Sequence, residues 1–182
     1  VAGQVRNQSI FNEKAENLRN ANKHEVGKMK MAIGCDEAAY ALKVEIIKHL
    51  KTKGIEVDDF GADAGAVVLY PDVAYAVADA VAAGKYERAI LLCGTGIGMA
   101  ISANKVPGVR AAVCHDPFST ERSRKSNNAQ IMCLGERVIG VELAKNLVDT
   151  WLSCEFDETS SSQPKVQRMM ALEQEHFQPQ QK

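Results

Sequence analysis

The chain has 182 residues, of which 46% are hydrophobic and 25% charged, and its formal net charge is −1. This composition is typical of a soluble globular domain, and the near-neutral charge argues against nucleic acid or an anionic membrane as a partner. No apolar run approaches the roughly 20 residues that a membrane span requires, and residues 1–28 contain no apolar signal-peptide core.

The chain contains five cysteines, an odd number, and no two of them form a C-x-x-C pair. They are Cys35, Cys93, Cys114, Cys133 and Cys154. This spacing argues against a disulfide framework and against a zinc ribbon. Reduced thiols are typical of the cytoplasm, so the cysteine pattern predicts a cytoplasmic protein without a bound metal.

From residue 29 onward the sequence alternates short apolar runs with amphipathic segments. The apolar runs predict strands at 29–35, 55–60, 88–92, 110–114 and 129–134. The segments between them predict helices around 42–50, at 71–84, at 99–105, after Pro117 and at 141–152. The last of these is expected to carry Leu143, Leu147 and Trp151 along one face. Strands that alternate with helices indicate an α/β fold with a parallel sheet covered on both faces.

The predicted α/β domain spans residues 29–156. Residues 1–28 are polar, and we expect a tail that is disordered or loosely attached. The remaining segment, 157–182, begins with a Ser-rich loop and continues as an amphipathic helix from about residue 165 to 176. Such a terminal helix either packs on its own domain or docks on a neighbouring subunit.

Several polar or small residues directly follow the predicted strands. Asp36, Cys93, the pair His115 and Asp116, and Gly135 all stand at such positions. In an open parallel sheet the ligand crevice lies outside the carboxyl ends of the strands. We therefore expect these residues to converge on one site.

The most informative segment is 93–98, which reads Cys-Gly-Thr-Gly-Ile-Gly and follows a buried strand. A lone cysteine at a strand end is often just a small buried hydrophobic residue. Three glycines, however, cost backbone entropy and let the backbone approach a ligand closely. The N–H groups at the start of the following helix attract an anion and favour a thiolate. A base beside an anion hole is what proton abstraction next to a carbonyl requires.

Other glycine-rich loops fit this segment less well. The G-x-x-x-x-G-K-[ST] pattern is absent, and a cysteine phosphatase loop would need Arg where Met99 stands. The glycines at 94, 96 and 98 also miss the G-x-G-x-x-G spacing of dinucleotide-binding folds. Asp116 lies at a suitable distance to hold a ribose hydroxyl, so a nicotinamide-dependent oxidoreductase remains an alternative.

Other polar residues allow a structural and a functional interpretation. Asp36 could cap a helix or bind a ligand. Asn127 and Asn128 could form a turn or contact sugar hydroxyls. Among the four histidines, His115 alone falls at a strand end, where it could be structural or catalytic.

Taken together, these motifs resemble the ribose 5-phosphate isomerase B / galactose 6-phosphate isomerase family over residues 29 to 176. The resemblance is carried by residues 34–36, 70–71, 93–98, 103–110, 127–129 and 135–140. The Cys-Gly-Thr-Gly-x-Gly and Ala-Asn-Lys-Val-Pro-Gly stretches in this order are highly specific. Residues 126–130, together with His115 and Asp116, resemble the erythrulose 4-phosphate isomerase branch.

The resemblance implies a doubly wound, Rossmann-like sheet of five parallel strands. It implies an isomerase that interconverts aldose and ketose sugar phosphates through a cis-enediolate, without metal or cofactor. It also implies a homodimer or tetramer, with active sites at the dimer interface and the C-terminal helix reaching the partner subunit. A non-catalytic sugar-phosphate- or nucleotide-binding module on the same fold is the alternative.

The resemblance also assigns roles to individual residues. Cys93 matches the base that moves the proton, and Thr95, which matches a position touching a sugar oxygen, is assigned to catalysis with it. The expected substrate-binding residues are Asp36, Glu37, Tyr70, Gly94, Gly96, Ile97, Gly98, His115, Asn127, Arg110, Arg137 and Lys165. Among them, the glycine-rich turn matches the hole for the enediolate oxygens, and Arg137 and Arg110 match positions near the phosphate.

Three departures from the family pattern bear on the substrate. Glu37 stands where many members have a His that helps to hold the phosphate, and a Glu there would repel it. Ser126 stands where ribose 5-phosphate isomerases commonly have the His that opens the furanose ring. The C-terminal segment keeps Lys165 but has serines at 160–162 where another Arg is expected.

These departures predict an open-chain substrate. A four-carbon sugar phosphorylated at O4 cannot close a furanose, so it needs no ring-opening residue. We therefore expect a tetrose phosphate or another open-chain sugar phosphate. Two alternatives stay open: His115 has taken over ring opening for pentose phosphates, or the substrate is an unphosphorylated sugar.

Overall fold

Five strands form one all-parallel sheet within residues 29–177, the part of the chain that the computed structural model describes. The strands are β1 (Lys30–Cys35), β2 (Glu56–Asp59), β3 (Ala89–Cys93), β4 (Ala111–Val113) and β5 (Ile131–Gly135). Their order across the sheet is β2-β1-β3-β5-β4. The doubly wound sheet predicted from the sequence is therefore confirmed, whereas the predicted tail at 1–28 lies outside the described residues.

Helices follow the strands and cover both faces of the sheet. A 3-10 turn (Glu37–Ala39) leads into α1 (Tyr40–Thr52), and the remaining helices are α2 (Tyr70–Ala82), α3 (Ile97–Ala103), α4 (Pro117–Lys125), α5 (Val141–Leu152) and α6 (Gln163–Phe177). One face is packed by buried residues of α1 and α5, such as Ile46 and Trp151. The other face is packed by α2 and α3, with residues such as Val77 and Met99.

Alternation along β3 decides where the predicted nucleophile points. Ile90 and Leu92 pack on the α1–α5 side, whereas Leu91 and Cys93 pack on the α2–α3 side. This two-residue alternation is the normal geometry of a strand. The chain leaves β1 toward β2 and returns to β3 on the other side of β1, so the switch point of the sheet lies between β1 and β3. Ligand crevices of such sheets open at this point.

Of the three apolar residues predicted to share one face of α5, two are buried and the third is partly exposed. Leu143 is 41% exposed, whereas Ala144, Leu147, Val148 and Trp151 are buried. These four residues share one stripe at spacings of three and four, and Leu143 lies to the side of it. The ends of some elements differ slightly from the prediction: α3 begins two residues before the predicted position. No helix of the described residues is long and apolar enough to cross a bilayer.

Candidate active site

Cys93 ends β3 at the switch point and is 5% exposed. Its Sγ accepts a hydrogen bond from the backbone N–H of Gly96 at 3.1 Å. Gly96 has a positive φ of 75°, which folds the chain back over the sulfur. The thiol therefore points toward the backbone N–H groups of the turn. The Cys93 side chain also packs in the apolar α2–α3 cluster.

Two glycines of the turn have no room for a side chain. A Cβ at Gly96 would lie 3.0 Å from the backbone of Leu134 in the neighbouring strand. A Cβ at Gly98 would lie 2.6 Å from the ring of Tyr70. Tyr70 is the first residue of α2, and its ring packs against the turn at Gly98. The turn is thus held between β5 and α2.

Arg137 lies over the same turn. Its backbone N–H donates to the carbonyl of Gly94 at 3.0 Å, and a Cβ at Gly94 would lie 3.4 Å from Arg137 Cδ. The guanidinium group is at the exposed surface. It is a positive charge beside the glycine-rich turn that follows the thiol-bearing strand.

Asp36 follows β1 on the other side of the switch point. Its carboxylate accepts the N–H of Ala38 at 3.1 Å and so caps the 3-10 turn, which confirms the structural interpretation of this residue. Burial raises the pKa of Asp36, while the Ala38 N–H and the charge of Arg137 oppose the increase. Asp36 and Arg137 therefore lie within electrostatic reach across the crevice.

Two other predicted residues bind the backbone near the crevice. Glu37 Oε2 accepts the N–H of Val68 at 3.4 Å, in the loop that leads to Tyr70. Thr95 is exposed, and its Oγ1 accepts the N–H of Ile97 at 3.4 Å. Both hydrogen bonds are long, so both side chains are held only weakly.

His115 stands two residues beyond β4, the edge strand. Two strand spacings, about 10 Å, separate β4 from β3. The Nε2 atom of His115 is buried, and within the described part of the chain it has no hydrogen-bond partner. Burial lowers the pKa of His115, and the neighbouring Asp116 opposes this effect, so the imidazole is neutral at pH 7. Asp116 accepts the Ser119 N–H at 2.8 Å, which occupies the carboxylate as the cap of α4.

Three predicted residues lie at the opposite end of the strands, the end at which the strands begin. Arg110 precedes β4 and Asn127 precedes β5, so both are at the amino ends of the strands. They line a cavity of about 640 Å³ beside α6, and Lys165 on α6 lines an adjacent one with Asn127. The five residues of β5 span roughly 16 Å. The structure brings these three residues together, but within one chain it does not bring them to Cys93.

Helix α6 packs against the amino ends of the strands in its own chain. Glu173 Oε2 accepts the N–H of Gly108 at 2.7 Å, and an Arg110 Nη1–H approaches Met170 Sδ at 2.9 Å. Asn128 has a φ of 47°, a left-handed conformation typical of a helix end, which supports the turn interpretation for this position. The predicted contact of α6 with a partner subunit stays a prediction.

Three further cysteines, Cys35, Cys114 and Cys133, lie in strands or directly after one and are buried and free. Burial raises the pKa of Cys35 to about 11, and it also raises the pKa values of Cys114 and Cys133. These three thiols therefore remain protonated at neutral pH. Within residues 29–177, no group of three or more His, Cys, Asp or Glu side chains could hold a metal ion.

Sequence reasoning missed Glu136, which follows β5. Its Oε2 accepts the N–H of Leu42 in α1 at 3.2 Å. The two residues are 94 positions apart, and no local pattern connects them. The residue was visible only as part of the motif at 135–140.

The fold defines an α/β domain with a doubly wound sheet, and the candidate ligand site lies at the carboxyl ends of its strands. The sequence model of the family described as Ribose/Galactose Isomerase matches residues 31–169. The chain therefore belongs to the ribose/galactose isomerase family and is an isomerase. This result favours the isomerase over the binding-module and oxidoreductase alternatives.

Named relatives cover most of the chain. The D-erythrulose-4-phosphate isomerase of Pectobacterium atrosepticum is 54% identical over 142 residues, which are 78% of this chain and 93% of that protein. The Ribose-5-P isomerase B of Listeria innocua is 53% identical over 148 residues, 81% of this chain and 99% of that protein. The structure of Clostridium thermocellum Ribose-5-Phosphate Isomerase B has a TM-score of 0.78 and 46% identity, covering 81% of this chain and 99% of that chain.

Proposed function

We propose that the protein interconverts the aldose and ketose forms of a small sugar phosphate, with Cys93 as the base. The observation that carries the proposal is the hydrogen bond from the Gly96 N–H to Cys93 Sγ at the switch point of the sheet. The relatives named as isomerases of ribose 5-phosphate and D-erythrulose 4-phosphate support a phosphorylated sugar.

In the proposed reaction, the Cys93 thiolate removes the proton from C2 of the aldose. The electron pair of the broken C–H bond forms the C1–C2 double bond, and the carbonyl oxygen takes the negative charge, which gives a cis-enediolate. The thiol then returns the proton to C1, while a hydroxyl proton moves between the two oxygens and leaves the ketose. One base on one face of the sugar serves both steps, so the chemistry needs neither a metal nor a cofactor.

Backbone N–H groups of the turn stabilise the enediolate. The Gly96 N–H is engaged with the sulfur, so the oxygens fall to the remaining donors of the segment 94–98. The N–H groups of Ile97 and Gly98 belong to the first turn of α3, where helix geometry offers them no carbonyl partner. The bond from the Ile97 N–H to Thr95 Oγ1 is long, at 3.4 Å, so this donor can exchange it for a substrate oxygen. Each such donor is worth about 3 kcal/mol in the transition state. The exposed Thr95 hydroxyl is placed to contact a sugar oxygen.

The complete site requires a second copy of the chain. Cys93, Asp36 and Arg137 are at the carboxyl ends of the strands, whereas Arg110 and Asn127 are at the amino ends. In a homodimer, the residues at the amino ends of the strands of one copy can cover the site at the carboxyl ends of the strands of the other copy. We therefore assign Arg110, Asn127 and Lys165 to the site of the neighbouring copy, with Lys165 carried by α6.

The phosphate binds on the Arg137 side of the crevice. Arg137 is exposed and lies over Gly94, so its guanidinium group is available to an anion. The Glu37 carboxylate lies by the loop before Tyr70 and repels an anion there. The opposite charges of these two side chains orient the substrate.

The preferred substrate is a tetrose 4-phosphate or another open-chain sugar phosphate. Ser126 is the C-cap residue of α4, and its backbone N–H donates to the carbonyl of Arg122. Its hydroxyl group does not act as an acid or a base at neutral pH. His115 is at the other end of α4 and cannot take the place of Ser126 within one chain. The test is a kinetic comparison of erythrose or erythrulose 4-phosphate with ribose 5-phosphate. A clear preference for ribose 5-phosphate would refute this choice of substrate.

The test of the proposed function is exchange of the substrate C2 hydrogen with deuterated water. The wild-type protein should exchange this hydrogen, and Cys93→Ala should lose the exchange while retaining substrate binding. Cys154→Ala is the matched control, because Cys154 is buried beyond α5 and away from the crevice. Absence of exchange in the wild type would indicate a binding module, and exchange in Cys93→Ala would exclude Cys93 as the base.

A further inference from the structure

Glu136 connects the two sides of the crevice. Its backbone N–H donates to the carbonyl of Cys93 at 3.0 Å. Its side-chain Oε2 accepts the N–H of Leu42 at 3.2 Å. Leu42 is the third residue of α1, the helix that follows Asp36 and the 3-10 turn. One residue therefore bonds to both the thiol-bearing strand and the helix beyond β1.

Helix α1 lacks a local cap. Ala39 stands at its N-cap position and makes no side-chain hydrogen bond. Four N–H groups at a helix start need partners from elsewhere, and a carboxylate there also meets the positive end of the helix dipole. Glu136 supplies this cap from the turn after β5, so the hydrogen bond is charge-assisted.

The residue next to Glu136 is the one proposed to bind the phosphate. The Arg137 N–H is bound to Gly94, and the Arg137 charge acts on Asp36. We propose that Glu136 is a positioning residue: by capping α1 it fixes Arg137 relative to Asp36 and Cys93. This inference rests on the proposed function, in which Arg137 binds the substrate phosphate.

Two substitutions separate reach from charge. Glu136→Asp keeps the charge but withdraws the carboxylate by one methylene, whereas Glu136→Gln keeps the reach and an acceptor oxygen. We expect Glu136→Asp to raise KM about tenfold with little change in kcat, and Glu136→Gln to stay within about threefold of wild type. Glu142→Asp is the control, because Glu142 is 88% exposed on the first turn of α5. Its KM should not change.

A double-mutant cycle with Arg137→Ala tests whether Glu136 acts through its neighbour. If it does, Glu136→Asp raises the KM of Arg137→Ala by less than about twofold. Multiplicative effects on KM, or a wild-type KM in Glu136→Asp, would overturn the inference. A wild-type KM in Arg137→Ala would also overturn it, by removing the residue to be positioned. Failure of the proposed function has a different signature, because the wild type then shows no isomerisation.

Discussion

The regions at the carboxyl ends and at the amino ends of the strands are built in different ways. At the carboxyl ends, backbone groups hold the site together: the Gly96 N–H contacts Cys93 Sγ, and the Arg137 N–H binds Gly94. At the amino ends, the side chains of Arg110, Asn127 and the residues of α6 surround an open cavity. The first region is preorganised within one chain, whereas the second offers charge and amide groups without a reacting group.

This difference suggests a division of labour. A turn held by backbone hydrogen bonds and by glycines without space for a Cβ can hold developing charge with little reorganisation. Long side chains at an open cavity suit recognition of a polar substrate, and they lie too far from Cys93 to act in the same chain. The proposed homodimer joins the two regions, and the following changes test each of them.

The largest effect is expected for Gly98→Ala at the carboxyl ends. The new Cβ would collide with the Tyr70 ring, which lies 2.6 Å from its position, and would displace either the ring or the turn. A displacement of this size costs about 10²-fold in kcat/KM. Gly140→Ala is the control, because a Cβ there has no neighbour within 4 Å. Wild-type kcat/KM in Gly98→Ala would show that the turn does not hold the reacting atoms.

A smaller effect is expected for Asn127→Ala at the amino ends. Loss of one hydrogen bond to the sugar should lower kcat/KM about tenfold, without a change in folding. Asn146→Ala is a matched control, since Asn146 is exposed on α5 and away from both regions. Equal kinetics for the two variants would remove Asn127 from the site.

His115→Asn separates substrates of different ring chemistry. We expect this variant to leave the turnover of a tetrose 4-phosphate unchanged, because that substrate has no ring to open. A loss of at least about tenfold on ribose 5-phosphate alone would assign ring opening to His115. An equal loss on both substrates would contradict the expectation and place His115 in the common steps.

The smallest effect is a pH dependence of stability from the same residue. Burial lowers the pKa of His115 below its ordinary 6.5, so the unfolded chain binds the proton more readily than the folded one. The contribution of His115 to the free energy of unfolding is therefore intact above pH 6.5 and is lost as the pH falls from 6.5 through the lower pKa of the folded state. Between about pH 7.5 and about pH 5.5, urea unfolding should show a smaller loss of stability in His115→Asn than in wild type. Equal losses would show that His115 titrates alike in both states.

Much of the carboxyl-end region could be predicted because its signals are local. The glycines around Cys93 stand next to it in sequence, and Asp36 follows an apolar run. The contacts that complete the region are not local: Tyr70 meets Gly98, and Glu136 reaches Leu42 across 94 positions. Only packing of the whole sheet brings these pairs together.

The separate position of the amino-end residues did have a signal in the sequence. Arg110 and Asn127 precede strands, whereas Asp36 and Cys93 end or follow them. In a parallel sheet this difference alone puts the two groups of residues at opposite ends of the strands.

The most direct test mixes two defective variants of the chain. Cys93→Ala lacks the base, and the double variant Asn127→Ala/Lys165→Ala lacks the amino-end residues. If each active site uses the carboxyl-end region of one copy and the amino-end region of another, half of the sites in mixed dimers are intact. Co-refolding equal amounts should then restore about a quarter of the wild-type isomerase activity. Activity no greater than the average of the two parents would contradict the shared site.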